Sequence, residues 1–97
     1  MNSAWPKPVK VAYFATLREI AGKNEEQWDQ PAASVGELLR GLVARYGPQF
    51  GRWLLDKGDL KLAIVLVNGR DVRDLQRLDT PLAPGDTVTL FPPVAGG

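Results

Sequence analysis

A lone long helical pattern, set among strand patterns, limits what this chain can fold into. Leu38, Leu39, Leu42, Val43 and Tyr46 recur at helical spacing, while Glu37, Arg40 and Arg45 supply polar positions. Ser34-Val35-Gly36-Glu37 opens the pattern as a capping box, and Gly47-Pro48 closes it. One amphipathic helix must bury its apolar stripe against another layer, and the surrounding segments offer a sheet. Gly36 and Gly41 each weaken the helix by up to ~1 kcal/mol relative to Ala. Their small size suits close packing on that sheet.

The strand signals are local and varied. Val9, Val11, Tyr13 and Ala15 alternate with Lys10, Ala12 and Phe14, a strand covered at least partly on both faces. Thr16-Leu17-Arg18-Glu19 reads as a second capping box, opening a short helix that Gly22 stops. Glu26 to Asp29 forms the next strand of a widened hairpin, with Trp28 inward. Trp53, Leu54 and Leu55 fit a short helical turn that plugs the end of the core, and both Trp28 and Trp53 read as core or cap. Leu62 to Val67 is nearly continuous aliphatic, which predicts a buried strand. Asn68-Gly69 is a two-residue hairpin signal, and Arg70 to Arg73 is the return strand. Ala83-Pro84-Gly85-Asp86 predicts a type II turn before a last strand over Thr87 to Phe91.

The order is strand, strand, helix, strand, short strand, strand. The economical packing is a mixed sheet with one main helix across a face and the last strand parallel to the first at its centre. That is an α+β fold of the ubiquitin-like β-grasp type. With 97 residues there is one domain. We divide the chain into a flexible lead-in (1–8, with Trp5-Pro6-Lys7-Pro8 extended), the folded body (9–91) and an extended functional tail (92–97).

Composition narrows the chemistry. The chain has no cysteine and no histidine, so it has no thiolate nucleophile, no cysteine-ligated metal site and no imidazole base. Asp71, Asp74 and Asp79 straddle a hairpin and a loop in a spacing that fits no cation loop, so no metal and no bound cofactor are expected. Net charge is +1 with no basic block, which argues against a nucleic-acid partner. No segment approaches the ~20 apolar residues of a membrane span, and no signal-peptide layout precedes the first strand. The cytoplasm is the expected location. A self-sufficient enzyme with this set of side chains is not expected.

The tail points elsewhere. Phe91-Pro92-Pro93-Val94-Ala95-Gly96-Gly97 ends on residues with nothing to bury and the most backbone entropy to lose. A terminal Gly97 carboxylate without neighbouring bulk is suited to threading into another protein's narrow active site. Pro92-Pro93 favours an extended polyproline II exit. The six residues after Phe91 reach roughly 20 Å at about 3.3 Å per residue.

Two stretches resemble the family of the molybdopterin synthase small subunit and the thiamine-pathway sulfur carriers, the MoaD/ThiS family. Tyr13-Phe14-Ala15-Thr16-Leu17-Arg18-Glu19-Ile20-Ala21-Gly22 is similar to that subunit's F-A-x-x-R-E-x-x-G segment. Leu82-Ala83-Pro84-Gly85-Asp86-Thr87-Val88-Thr89-Leu90-Phe91, running into Pro92-Pro93-Val94-Ala95-Gly96-Gly97, resembles the family's L-x-x-G-D-x-V-x-x-x-P-P-V-x-G-G ending. Val67-Asn68-Gly69 falls at the family's V-N turn. The Pro-Pro-Val form points to the molybdopterin branch. The resemblance implies that an E1-like enzyme uses ATP and Mg²⁺ to adenylate Gly97, and that a sulfur donor protein converts it to a thiocarboxylate. It further implies a large catalytic subunit, joined in a heterotetramer, in which sulfur passes to a pterin precursor. Partner contacts would come from Phe14, Arg18, Phe91, Pro92, Pro93, Val94, Ala95 and Gly96. Core packing is expected for at least one of Phe14 and Phe91, and Arg18 also fits a solvated helix face. The other readings are a ubiquitin-like modifier joined through Gly97 to target lysines, a thiamine-pathway carrier, or a binding module with an inert tail.

Overall fold

A computed structural model describes residues 8–93. In chain order the elements are β1 (Lys10–Tyr13), α1 (Ala15–Ala21), β2 (Glu25–Gln27), α2 (Val35–Tyr46), α3 (Pro48–Leu54), β3 (Leu55–Asp56), β4 (Asp59–Leu60), β5 (Ile64–Val67), β6 (Arg70–Asp71) and β7 (Thr87–Phe91). Five strands make a mixed sheet in the order β2-β1-β7-β5-β6, and β3 and β4 form a separate hairpin. β7 lies at the centre, parallel to β1 and antiparallel to β5. This is the ubiquitin-like β-grasp arrangement expected from the element order.

Local chemistry accounts for most boundaries. Ser34 caps α2, its Oγ accepting from the Glu37 N–H at 3.3 Å. Glu37 reaches back to accept from the Ala33 N–H at 2.9 Å, one residue before the position a standard capping box uses. Gly47 ends α2 at φ 88° and Pro48 starts α3 at once. Residues 50–57 are therefore more ordered than a plug-like turn: α3 buries Phe50 and Leu54 and runs directly into β3.

The first helix departs from expectation. Its N-cap is Phe14, not Thr16, and among the described residues no side chain caps it. Phe14 N–H donates to Leu90 O at 3.1 Å, which prolongs the parallel ladder to the residue before the helix. The chain then turns within a single residue, Ala15, at φ 53°. The Thr16 box fails because the ladder fixes where the helix must begin.

One face of the sheet makes the core. Val11, Tyr13, Val65, Val67, Val88 and Leu90 are buried with Leu38, Leu39 and Leu42 of α2 and Phe50 and Leu54 of α3. Tyr13 meets Phe50 edge-on at 5.7 Å, and Tyr46 lies 4.9 Å from Phe50. Gly41 has its own reason: a Cβ there would stand 2.6 Å from Cζ2 of buried Trp28, so it makes room for that indole rather than for the sheet.

The opposite face is only half covered. Ala12, Ile64, Leu66, Thr87, Thr89 and Phe91 alternate with the core residues and are half-buried. Two expectations change here. β5 is not a strand buried on both faces, because among the described residues no helix covers its second face. Leu62 lies before the strand, at 65% exposure. β6 is also shorter than Arg70 to Arg73, because Val72–Asp74 forms a 3₁₀ turn.

Candidate functional site

The site is the end of the sheet from which the tail departs. Two turns hold the start of β7. Gly85 supplies φ 85°, and Asp86 N–H donates to Ala83 O at 3.1 Å, as a type II turn requires. Asp86 then accepts twice, from Ala83 N–H at 2.8 Å and from Asn68 Nδ2 at 2.9 Å. Asn68 Oδ1 in turn accepts from Thr87 N–H at 2.9 Å. The β5–β6 turn and the Gly85-Asp86 turn are thus bonded to one another. Both brace the strand that carries the tail.

At the other end of β7 the sheet closes with an aromatic pair. Phe14 and Phe91 stack with ring centroids 4.5 Å apart and planes 23° from parallel. Phe14 is 41% exposed and Phe91 half-buried, and neither joins the core cluster. The expectation of core packing for one of them is therefore wrong. Their rings sit on the open face, where the register sets Phe91 opposite Ile64. Offset aromatic stacking adds about 0.5–1.5 kcal/mol beyond area burial, enough to hold a preformed surface.

Arg18 lies exposed on α1, one turn beyond Phe14, with its carbonyl accepting from Gly22 N–H at 2.9 Å. Pro92 and Pro93 follow β7 and are half-buried. The fold thus brings Phe14, Phe91, Pro92 and Pro93 to one end of the sheet. Val94, Ala95, Gly96 and Gly97, the remaining residues of the expected site, lie outside the described residues.

A second cluster escaped the sequence reading. Glu26, its side chain only 10% exposed, accepts from the hydroxyls of Tyr13 and Tyr46, and from Arg45 Nη1 at 3.2 Å and Lys23 Nζ at 3.4 Å. Burial pushes the Glu26 carboxyl up, but the two tyrosine hydroxyls and the Lys23 ammonium outweigh it and hold it below the usual glutamate range. Burial, reinforced by Glu26, pushes the Tyr13 phenol far above its ordinary value. With every lone pair of Glu26 engaged by four donors from three places in the chain, the cluster pins β1, β2 and α2 together. No local sequence signal marks it, since its members are spread from Tyr13 to Tyr46.

None of the described helices is long and apolar enough to cross a membrane. Among the described residues no group of His, Cys, Asp and Glu is arranged to hold a metal ion.

Comparison with known proteins agrees with this geometry. Small archaeal modifier protein 3 of Haloferax volcanii is 43% identical over 91 residues, covering 92% of this chain and 98% of that protein. The molybdopterin synthase sulfur carrier subunit of Escherichia coli is 36% identical over 89 residues, covering 92% and 99%. The solution structure of small archaeal modifier protein 1 from Methanosarcina acetivorans superposes with a TM-score of 0.80 at 34% identity, over 96% of this chain and 99% of that one. A chain of the Amycolatopsis orientalis BexX/CysO complex superposes with a TM-score of 0.76 at 31% identity, over 92% and 99%. The model of the ThiS family matches residues 11–97, nearly the whole folded body and the tail. The chain belongs to the ThiS family.

Proposed function

We propose that this chain is a sulfur carrier whose C-terminal Gly97 is activated and loaded by other proteins, in service of molybdenum or tungsten cofactor assembly. The observation that supports this reading most directly is the exit itself. A Pro-Pro-Val-Ala-Gly-Gly tail leaves the central strand of the sheet beside a stacked, solvent-facing Phe14–Phe91 pair. A central strand bonded on both sides cannot shift, so the tail starts from a fixed point and loses less entropy when it is threaded.

The chemistry follows from the carboxylate. Its oxygen is a poor leaving group, so an E1-like enzyme attaches AMP from Mg²⁺-bound ATP and releases pyrophosphate. Hydrosulfide released by a donor protein then attacks the acyl carbon and expels AMP, leaving a thiocarboxylate and a proton. A large synthase subunit takes the loaded tail and passes the sulfur to a pterin. The absence of cysteine and histidine from this chain is in keeping with that division of labour. Gly96 and Gly97 lack a Cβ, so the walls of a narrow tunnel can close on their backbone.

A second reading has its own support. The modifier from Haloferax volcanii is 43% identical against 36% for the Escherichia coli carrier subunit, and both roles begin with the same activated glycine. Under that reading a target lysine, instead of a sulfur nucleophile, attacks the activated Gly97.

Intact mass after incubation with ATP, a matching E1-like enzyme and a sulfur source tests the proposal. A gain equal to exchanging one oxygen for sulfur, absent after deletion of Gly97, is the expected result. Covalent adducts on target lysines, carrying a Gly-Gly remnant and formed without that gain, would establish the modifier instead. An unchanged mass with an enzyme competent on its own carrier refutes activation of Gly97.

A further inference from the structure

The large apolar side chains left most exposed among the described residues are Phe14 and Leu62. Topology puts both at the same end of the molecule. β1 and β7 run parallel, so Phe14 and Phe91 come at their shared C-terminal end. β5 runs antiparallel to β7, and its first residue, Ile64, pairs with Phe91. Leu62, two residues earlier, therefore sits where the tail leaves.

The chain around Leu62 is braced on both sides. Lys61 N–H donates to Leu54 O at 2.9 Å, and Ala63 N–H donates to Trp53 O at 2.9 Å. The Arg73 guanidinium donates from Nη1 to Ala63 O at 3.0 Å and from Nη2 to Lys61 O. Ala63 is itself fully buried. Both neighbours of Leu62 are thus tied through N–H and C=O alike. A single exposed leucine is ordinary. A 65% exposed leucine held on a clamped stretch of backbone is a different object, since its position is set before any partner arrives.

We infer that Leu62, held out by the Arg73 clamp, is an anchor for the adenylating enzyme that takes up the tail, and extends the Phe14–Phe91 contact surface across β5. The inference rests on the proposed activation of Gly97. The occupant follows from reach. An enzyme that brings Gly97 to its nucleotide must place the mouth of its site within the roughly 20 Å that the tail spans beyond Phe91. Its surface then covers the end of the sheet that carries Leu62. An apolar pocket in that surface is the chemistry Leu62 selects. Arg73 is a positioning residue, acting through the two carbonyls it holds.

The test is ATP–pyrophosphate exchange by the matching E1-like enzyme, measured against the concentration of the full chain. Leu62→Asp should raise the half-saturating concentration about tenfold or more, as loss of an interface anchor does, with the maximal rate within about twofold of wild type. Leu62→Met should restore it. The chain lacking Gly97 should inhibit exchange competitively, and Leu62→Asp should weaken that inhibition by about the same tenfold factor. Thermal unfolding should not distinguish the variants, because the side chain lies outside the core. An unchanged half-saturating concentration overturns the inference, as does a large fall in melting temperature, which would make Leu62 a packing residue. Failure of the wild-type chain to support exchange overturns the activation of Gly97 itself, and Leu62 as its anchor with it.

Discussion

Gly41→Ala is a test of the packing that holds the sheet and its helix together. Taken alone, the change should stabilise: Gly41 is in the middle of α2, and Ala is better there by about 1 kcal/mol. The new methyl, however, would stand 2.6 Å from Cζ2 of Trp28 and 3.4 Å from its Cη2. Carbon atoms pack at about 3.5–4.0 Å, so the indole must retreat by roughly an ångström. Trp28 is buried, and Arg45 lies 4.3 Å from its ring centroid, bonded in turn to Glu26 and Asp29. Overpacking of this kind costs about 1–3 kcal/mol, and displacing the ring from Arg45 costs about 0.5 kcal/mol more. The clash wins, with a net loss of about 1.5 kcal/mol. For a domain of this size the melting temperature should fall by roughly 6–12 °C. Thermal unfolding followed by far-UV circular dichroism reads it. In a Trp28→Phe background, where the smaller ring vacates the contact, the same substitution should become stabilising. A melting temperature that rises on Gly41→Ala in the wild-type background refutes the reasoning.

Other expectations follow from single contacts. Because Glu26 is held below the usual glutamate range, its contribution is fully present above the unfolded value of about 4.3 and is lost as pH falls through its folded value. Glu26→Gln should destabilise the protein at neutral pH by about 2–4 kcal/mol and flatten the acid limb of urea midpoint against pH; an unchanged limb would remove Glu26 from the account. Asp86→Ala strips the acceptors from Ala83 N–H and Asn68 Nδ2 and should cost about 1–2 kcal/mol, with faster amide exchange at Thr87 and Asn68 seen by NMR. Ala15→Gly relieves the positive φ at the start of α1 against a backbone-entropy cost, and should raise stability by up to about 1 kcal/mol in denaturant titration.

Much of this molecule was legible because its signals act over a few residues. Asn68-Gly69 makes the hairpin turn, with φ 52° and 88°, since few other pairs accept both values. Ser34 caps the main helix, Gly47-Pro48 ends it, and Pro84-Gly85 turns the chain into β7. The tail motif and the family could be read without coordinates. Where several residues compete for one role, the local signal failed. Thr16 has the chemistry of a cap, yet Phe14 takes the position because Leu90 binds its N–H from a strand more than seventy residues away in sequence.

What the open face would carry was decided only by packing. Ile64, Val65, Leu66 and Val67 are all aliphatic, so their pattern does not say which pair faces the helices. The helices cover one side of the sheet, and Ile64 and Leu66 are left on the other with Phe91 and Phe14. The same is true of Leu62, read as the start of a buried strand and turned outward because Arg73 holds the carbonyls on either side. Local chemistry thus determined the turns, the cap and the tail, whose energetics are settled within a few residues. The assignment of faces, the Glu26 cluster and the surface around the exit arise from contacts between distant segments, which exist only once the chain has closed on itself.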